Sequence, residues 1–180
     1  MKCFTLFLML AFVAMTGCSK DNPAEPQTTE EAVKGSFETT FQFIPMVCVD
    51  GGGTPVDCSV AGAIPVVVAT PFEGVGNLSP LSNSTVSSKQ TVDFTKTPPA
   101  LTGTDEFTAV NGDKLFATHS GISGAPDAQG NVTFSGEYLF TGGTGRFTGA
   151  SGSATFTGSA SLATNKGQFS LDGKINLKKI

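Results

Sequence analysis

The sequence predicts an all-β fold: a small antiparallel β-barrel of about eight strands, set behind a signal peptide and a flexible tether. Three observations predict it. Apolar and polar residues alternate with a period of two in one run after another beyond Ser36, as half-buried antiparallel strands require. Gly, Thr and Ser number 22, 23 and 16 of 180 residues while charged residues are only 14%, a composition that disfavours a helical bundle. Glycines recur on the apolar phase at Gly103, Gly136, Gly158 and Gly173, where they relieve crowding in a sheet that bends sharply. Closure into a barrel also removes exposed strand edges, which favours it modestly over a sandwich.

The chain begins with a targeting segment. Lys2 precedes an apolar run from Phe4 to Met15, twelve residues long, which is signal-peptide length and too short to span a bilayer. Met15-Thr16-Gly17-Cys18 then resembles a bacterial lipobox. That resemblance implies cleavage before Cys18, a diacylglyceryl group on its sulfur, and attachment through acyl chains at roughly 0.8 kcal/mol per buried CH₂. Ser19 after the cysteine resembles Gram-negative sorting signals for the outer membrane. The organisation expected is therefore a signal peptide over 1–17, a lipidated tether over 18–35 and a barrel domain over 36–180. The tether reading rests on Pro23, Glu25, Pro26, Glu30 and Glu31 with almost nothing apolar between them.

Within the domain, Phe37, Thr39, Phe41 and Phe43 share one face. Ile64 to Val68 reads as an edge strand because of Pro65. Gly74-Val75-Gly76 and Pro80 point to irregular chain, and Thr97-Pro98-Pro99 to a loop before a strand at Leu101–Val110. Asn111-Gly112 predicts a type I′ hairpin turn. Leu115, Ala117 and His119 then share a face, as do Val132, Phe134, Gly136, Tyr138 and Phe140. Ala154 to Leu162 and Phe169 to Leu177 alternate likewise, with reversals at Gly130-Asn131 and Asn165-Lys166-Gly167. The last run continues through Asp172-Gly173, which predicts one long strand with a glycine kink.

The string Thr141-Gly142-Gly143-Thr144-Gly145-Arg146-Phe147-Thr148-Gly149-Ala150-Ser151-Gly152 follows Asn111-Gly112-Asp113-Lys114-Leu115-Phe116 by about thirty residues. It resembles a glycine-rich element of allene oxide cyclase barrel-like proteins, of which dirigent proteins carry a variant. The resemblance spans residues 100–177. It implies an eight-stranded calycin-like barrel, often with an apolar cavity, and carries no catalytic position onto this chain. Physically, Gly142, Gly143, Gly145 and Gly149 permit a tight crossing, and Phe147 returns to the core. The string lacks the Gly-Lys-Ser/Thr ending of a phosphate loop, and no helix follows it.

The candidate chemistry is sparse. Cys48 and Cys58 flank a glycine-rich loop and predict a disulfide; nine intervening residues do not make a thiol-oxidoreductase motif. Asp50 and Asp57 could meet a cation, but their spacing matches no calcium loop. The single His119 falls in core phase, as a packing residue or a polar anchor in a cavity. Adjacent Glu137 and Tyr138 point to opposite faces, with Tyr138 inward; Asp105 and Glu106 are likewise opposed. The single Arg146 is expected to pair with Glu137 or Asp105 at the barrel rim. Cavity-lining candidates are Phe107, Leu115, His119, Phe134, Tyr138, Phe140 and Phe156.

No catalytic set, metal site or cofactor motif is supported. Eleven Lys and Arg against fifteen Asp and Glu, a formal charge of −4, argue against nucleic acid as a partner. With no Trp and one Tyr, glycan binding is disfavoured. The partners expected are a membrane, through the acyl chains on Cys18, and a small apolar ligand; the sequence leaves a protein partner open. The leading functional reading is a non-catalytic envelope lipoprotein. An isomerase or cyclase, by analogy of fold alone, and a surface interaction module are the alternatives.

Overall fold

A computed structural model describes residues 27–179; the segment read as a signal peptide, and Cys18, lie outside the described residues. Eleven strands follow in order: β1 (Thr28–Phe41), β2 (Ile44–Val49), β3 (Pro55–Val56), β4 (Ile64–Ala69), β5 (Phe72–Ser79), β6 (Ser82–Asp93), β7 (Ala100–Ala109), β8 (Lys114–Ser123), β9 (Asn131–Gly143), β10 (Ser151–Ser161) and β11 (Lys166–Lys178). Eight of them close a barrel in the order β6-β5-β1-β11-β10-β9-β8-β7, with β7 returning to β6. All pairings are antiparallel. The other three strands form an arm. β4 joins one end of β6 through Val67–Ala69, β2 pairs with β4, and β3 pairs with β2.

The barrel is strongly sheared. One row of paired residues runs from Val92 through Leu101, Gly121, Gly136, Phe156, Leu171, Gly35 and Leu78. It returns to β6 at Ser82, ten positions from its start. Such stagger tilts the strands and leaves an interior just wide enough for side chains. Inward residues come from both halves of the strand set, and the alternation read from the sequence is the burial pattern seen: Phe156, Phe169, Leu171 and Ile175 are buried while their neighbours face solvent.

One end of the barrel is solid. Phe107, Leu115, Phe140, Ile175 and Leu177 pack there with Val33, Leu78 and Leu81. The glycine-rich string closes this end. Gly145–Phe147 form a single 3-10 turn that drops Phe147, wholly buried, onto the barrel floor. Gly145 has a φ of +56°, and a side chain there would collide with Asp113. Arg146 pairs with no carboxylate among the described residues. Its guanidinium donates to the Pro80 carbonyl and lies 4.8 Å from the centre of the Phe147 ring, tying β5–β6 to the plug.

Several expectations need correction. The barrel starts at Thr28, eight residues before Ser36, because Val33 is fully buried and β1 pairs with β11 from Thr28 onward. β5 runs regularly through Gly74 and Gly76; a Cβ at position 76 would lie 2.7 Å from Phe37 Cδ1, so glycine is what the strand requires there. β4 is an interior strand at Val67–Ala69, and only around Pro65 is its β6 side unpaired. The β7–β8 hairpin is present without a type I′ turn: Asn111 lacks positive φ, Gly112 has φ +88°, and Gly112 N–H donates to Ala109 O at 2.9 Å. This is a type I turn followed by a glycine bulge.

The arm carries the expected Cys48–Cys58 disulfide. Asp50 in its loop accepts backbone N–H bonds from Gly52 and Thr54 at 2.8 and 2.9 Å, with Thr54 the main cause holding its carboxyl below the usual carboxylate range. Asp57 accepts from Ser59 in the same way. Both carboxylates are thus spent on their own turns.

If Phe147 is the plug of the closed end, Phe147→Ala is expected to destabilise the domain by about 3–5 kcal/mol in urea unfolding. A loss below about 1 kcal/mol would show that the end is held without it.

Candidate functional site

The opposite end of the barrel is open. Strand ends carrying Phe41, Phe72 and Phe94 and loops carrying Pro98, Pro99, Ala125 and Pro126 surround a cavity of about 680 Å³. Its inner wall is Phe134, Phe156, Phe169, Tyr138, Val92 and Leu101. That size suits a small organic molecule. Two larger depressions, of about 900 and 1070 Å³, lie on the outer face of β5, β1 and β11. They are shallow, and Ser, Thr, Asn and Gln make up half or more of their lining. Of the three, the mouth cavity is the one lined by His119 and Tyr138.

Four expected lining residues are found there: His119, Phe134, Tyr138 and Phe156. Phe107, Leu115 and Phe140 are not; they belong to the solid half, because the shear places them nearer the plug than their strand phase suggests. Phe41, Phe72, Phe94, Phe169, Thr70 and Gln90 were missed. Phe41 and Phe169 were in the alternating runs, but phase does not say which end of the barrel a residue occupies; Phe72 and Phe94 stand at strand ends, and the two polar residues carry no periodic signal.

The cavity floor is polar. His119 Nδ1 lies 2.5 Å from Asp105 Oδ2, and both side chains are excluded from solvent. His119 Nε2 faces Gln90 Oε1 at 3.1 Å, and Gln90 Nε2 donates to Thr70 Oγ1 at 2.7 Å. The chain Asp105–His119–Gln90–Thr70 thus crosses three barrel strands and ends in the Thr70-Pro71 link between β4 and β5. Each ring nitrogen of His119 therefore has one polar side-chain partner. Asp105 Oδ1 has no hydrogen-bond partner among the described residues.

Local sequence explains how a histidine fits. Registers place Gly103 between Gln90 and His119 across β6, β7 and β8. A Cβ at Gly103 would collide with His119 Cε1 and lie 2.9 Å from Nε2. Glycine therefore opens the slot that the imidazole fills. Tyr138 flanks it, ring centres 5.4 Å apart, and Phe156 lies 5.9 Å away. Edge-on aromatic contacts of this kind hold the ring's orientation.

Burial first, then the Asp105 charge, pushes the Tyr138 hydroxyl well above its ordinary value of 10.0. The arrangement can orient a polar atom at the base of an apolar cavity. It can also hold a proton between Asp105 and His119.

Comparison with family models, with curated proteins and with solved structures returns no match.

Tyr138 is the single tyrosine of the chain, so its titration is read without ambiguity. The native protein is expected to form no tyrosinate, by ultraviolet absorbance, as pH passes through 10. Because the folded state resists ionisation, stability is full below the unfolded value near 10 and falls as pH rises above it. Tyrosinate forming near pH 10 with the fold intact would contradict the burial described.

Proposed function

We propose that this chain is an envelope lipoprotein whose barrel is a non-catalytic receptor for a small apolar ligand, held in the mouth cavity. The single observation that carries the reading is the 680 Å³ apolar cavity open at one end of a barrel whose other end is solid. A barrel needed only as a stable scaffold gains by filling such space, since each unfilled methyl-sized void costs about 1 kcal/mol. The glycine-rich string and its resemblance to allene oxide cyclase barrel-like proteins support the same reading.

The lipobox resemblance supports anchorage through Cys18, at the outer membrane as Ser19 suggests. β1 enters the barrel at the solid end, where Thr28 pairs with Lys178. Anchorage would then set the solid end toward the bilayer and turn the mouth away from it.

A second reading, an isomerase or cyclase, is favoured by the Asp105–His119 pair beside the cavity. Gln90 occupies His119 Nε2, so acid–base chemistry requires that amide to move first. The interaction-module reading draws on the arm, where Ile44, Met46, Val47, Val60 and Ile64 are exposed.

The chain from Ser19 onward keeps every residue of the fold. It is expected to bind an apolar fluorescent probe one to one and to change Tyr138 emission as it does. Ala160→Phe, which puts a ring into the cavity, is expected to weaken that binding about tenfold or more, with thermal unfolding little changed. A protein that takes up no probe, and shows no co-purified molecule by native mass spectrometry, would refute the receptor reading.

A further inference from the structure

We infer that the ligand of the mouth cavity is a neutral apolar molecule with one oxygen acceptor, a hydroxyl or carbonyl group, seated on Thr70 and not an anionic lipid such as a fatty acid. The inference rests on the receptor reading and specifies its ligand class.

Charge comes first. No Lys or Arg lines the cavity among the described residues. Its one potentially cationic group is His119, and Asp105 at 2.5 Å cancels whatever positive charge that ring carries. A carboxylate head at this floor would be stripped of water, lack a counter-charge and lie near a buried acid. Such a group is strongly disfavoured inside a protein. A neutral head meets no such penalty.

Hydrogen-bonding capacity comes second. Neither nitrogen of His119 is free, because one faces Asp105 and the other Gln90. The Gln90 amide oxygen faces His119, and one of its two N–H donors goes to Thr70. At the end of this chain, the Thr70 hydroxyl accepts from Gln90 Nε2. Its own proton then needs an acceptor, and the hydroxyl has no second side-chain partner among the described residues, while Phe72, Phe41 and Phe94 line the same cavity. Thr70 is 6% exposed, so water reaches it poorly. A ligand oxygen at this point completes the chain, and an aliphatic body then runs along the phenylalanine wall to the mouth.

The test compares dodecan-1-ol, sodium dodecanoate and dodecane on the chain from Ser19 onward at pH 8, below micelle-forming concentrations. Tyr138 emission is the readout. Dodecan-1-ol is expected to bind at least about tenfold more tightly than dodecanoate. Thr70→Val, which keeps the shape and removes the hydroxyl, is expected to weaken dodecan-1-ol about fivefold and leave dodecane unchanged. Dodecanoate binding as tightly as the alcohol would overturn the inference, as would an unaltered alcohol affinity in Thr70→Val. In either case dodecane binding would leave the receptor reading standing. Failure of all three ligands would overturn both.

Discussion

Space inside a small, sheared barrel is the constraint on which the rest of this structure depends. An interior this narrow cannot take a large side chain from every strand at one level. Rings are therefore set against glycines on neighbouring strands. A Cβ at Gly136 would lie 2.7 Å from Phe156 Cζ, and one at Gly158 would lie 2.5 Å from two atoms of the Phe134 ring. The same device admits His119 opposite Gly103. Fold and site thus share one packing device: Gly103, Gly136 and Gly158 each stand where a neighbour's ring lies.

The device is applied unevenly along the barrel axis. Toward the plug, Phe107, Leu115, Phe140 and Phe147 fill the interior and the aromatic stack of Phe37 with Phe169 continues upward, ring centres 5.3 Å apart. Toward the mouth, the rings line the wall and leave the axis open. The polar chain from Asp105 to Thr70 sits at the boundary between the halves. In an apolar setting its members need each other, since a buried polar group without a partner costs about 1–3 kcal/mol. That cost is tolerable where the group also faces a ligand, which is how the cavity and the polar chain support one account.

Much of this was legible in the sequence. Period two sets the phase of His119 and Tyr138 without reference to any partner, and both are inward; Asp105, expected at the rim beside Arg146, is instead buried against His119. The Cys48–Cys58 bridge follows from counting. Pairing was harder, because it depends on turn geometry. A two-residue turn at Asn111-Gly112 would set Asp105 opposite Thr118; the bulged loop sets it opposite Ala117, one step from His119 on the same face. Arg146 was assigned to a carboxylate because charge suggests one, whereas its partner is the carbonyl of Pro80 in a loop 66 residues earlier in the chain. The start of β1 was hidden for a similar reason. Thr28 to Glu31 are polar on both faces, and their strand is held by pairing to β11 and by the Lys174–Glu30 ion pair. Thr70 and Gln90 belong to segments whose positions only barrel closure defines.

The central claim is that one half of the barrel is solid and the other hollow and apolar. Xenon diffused into crystals of the domain tests it most directly, since apolar cavities take up the gas and packed cores do not. The account predicts xenon among Phe72, Phe134, Phe156 and Phe169, and none around Phe107, Leu115 and Phe147. Xenon in the plugged half, or none at the mouth, would contradict it.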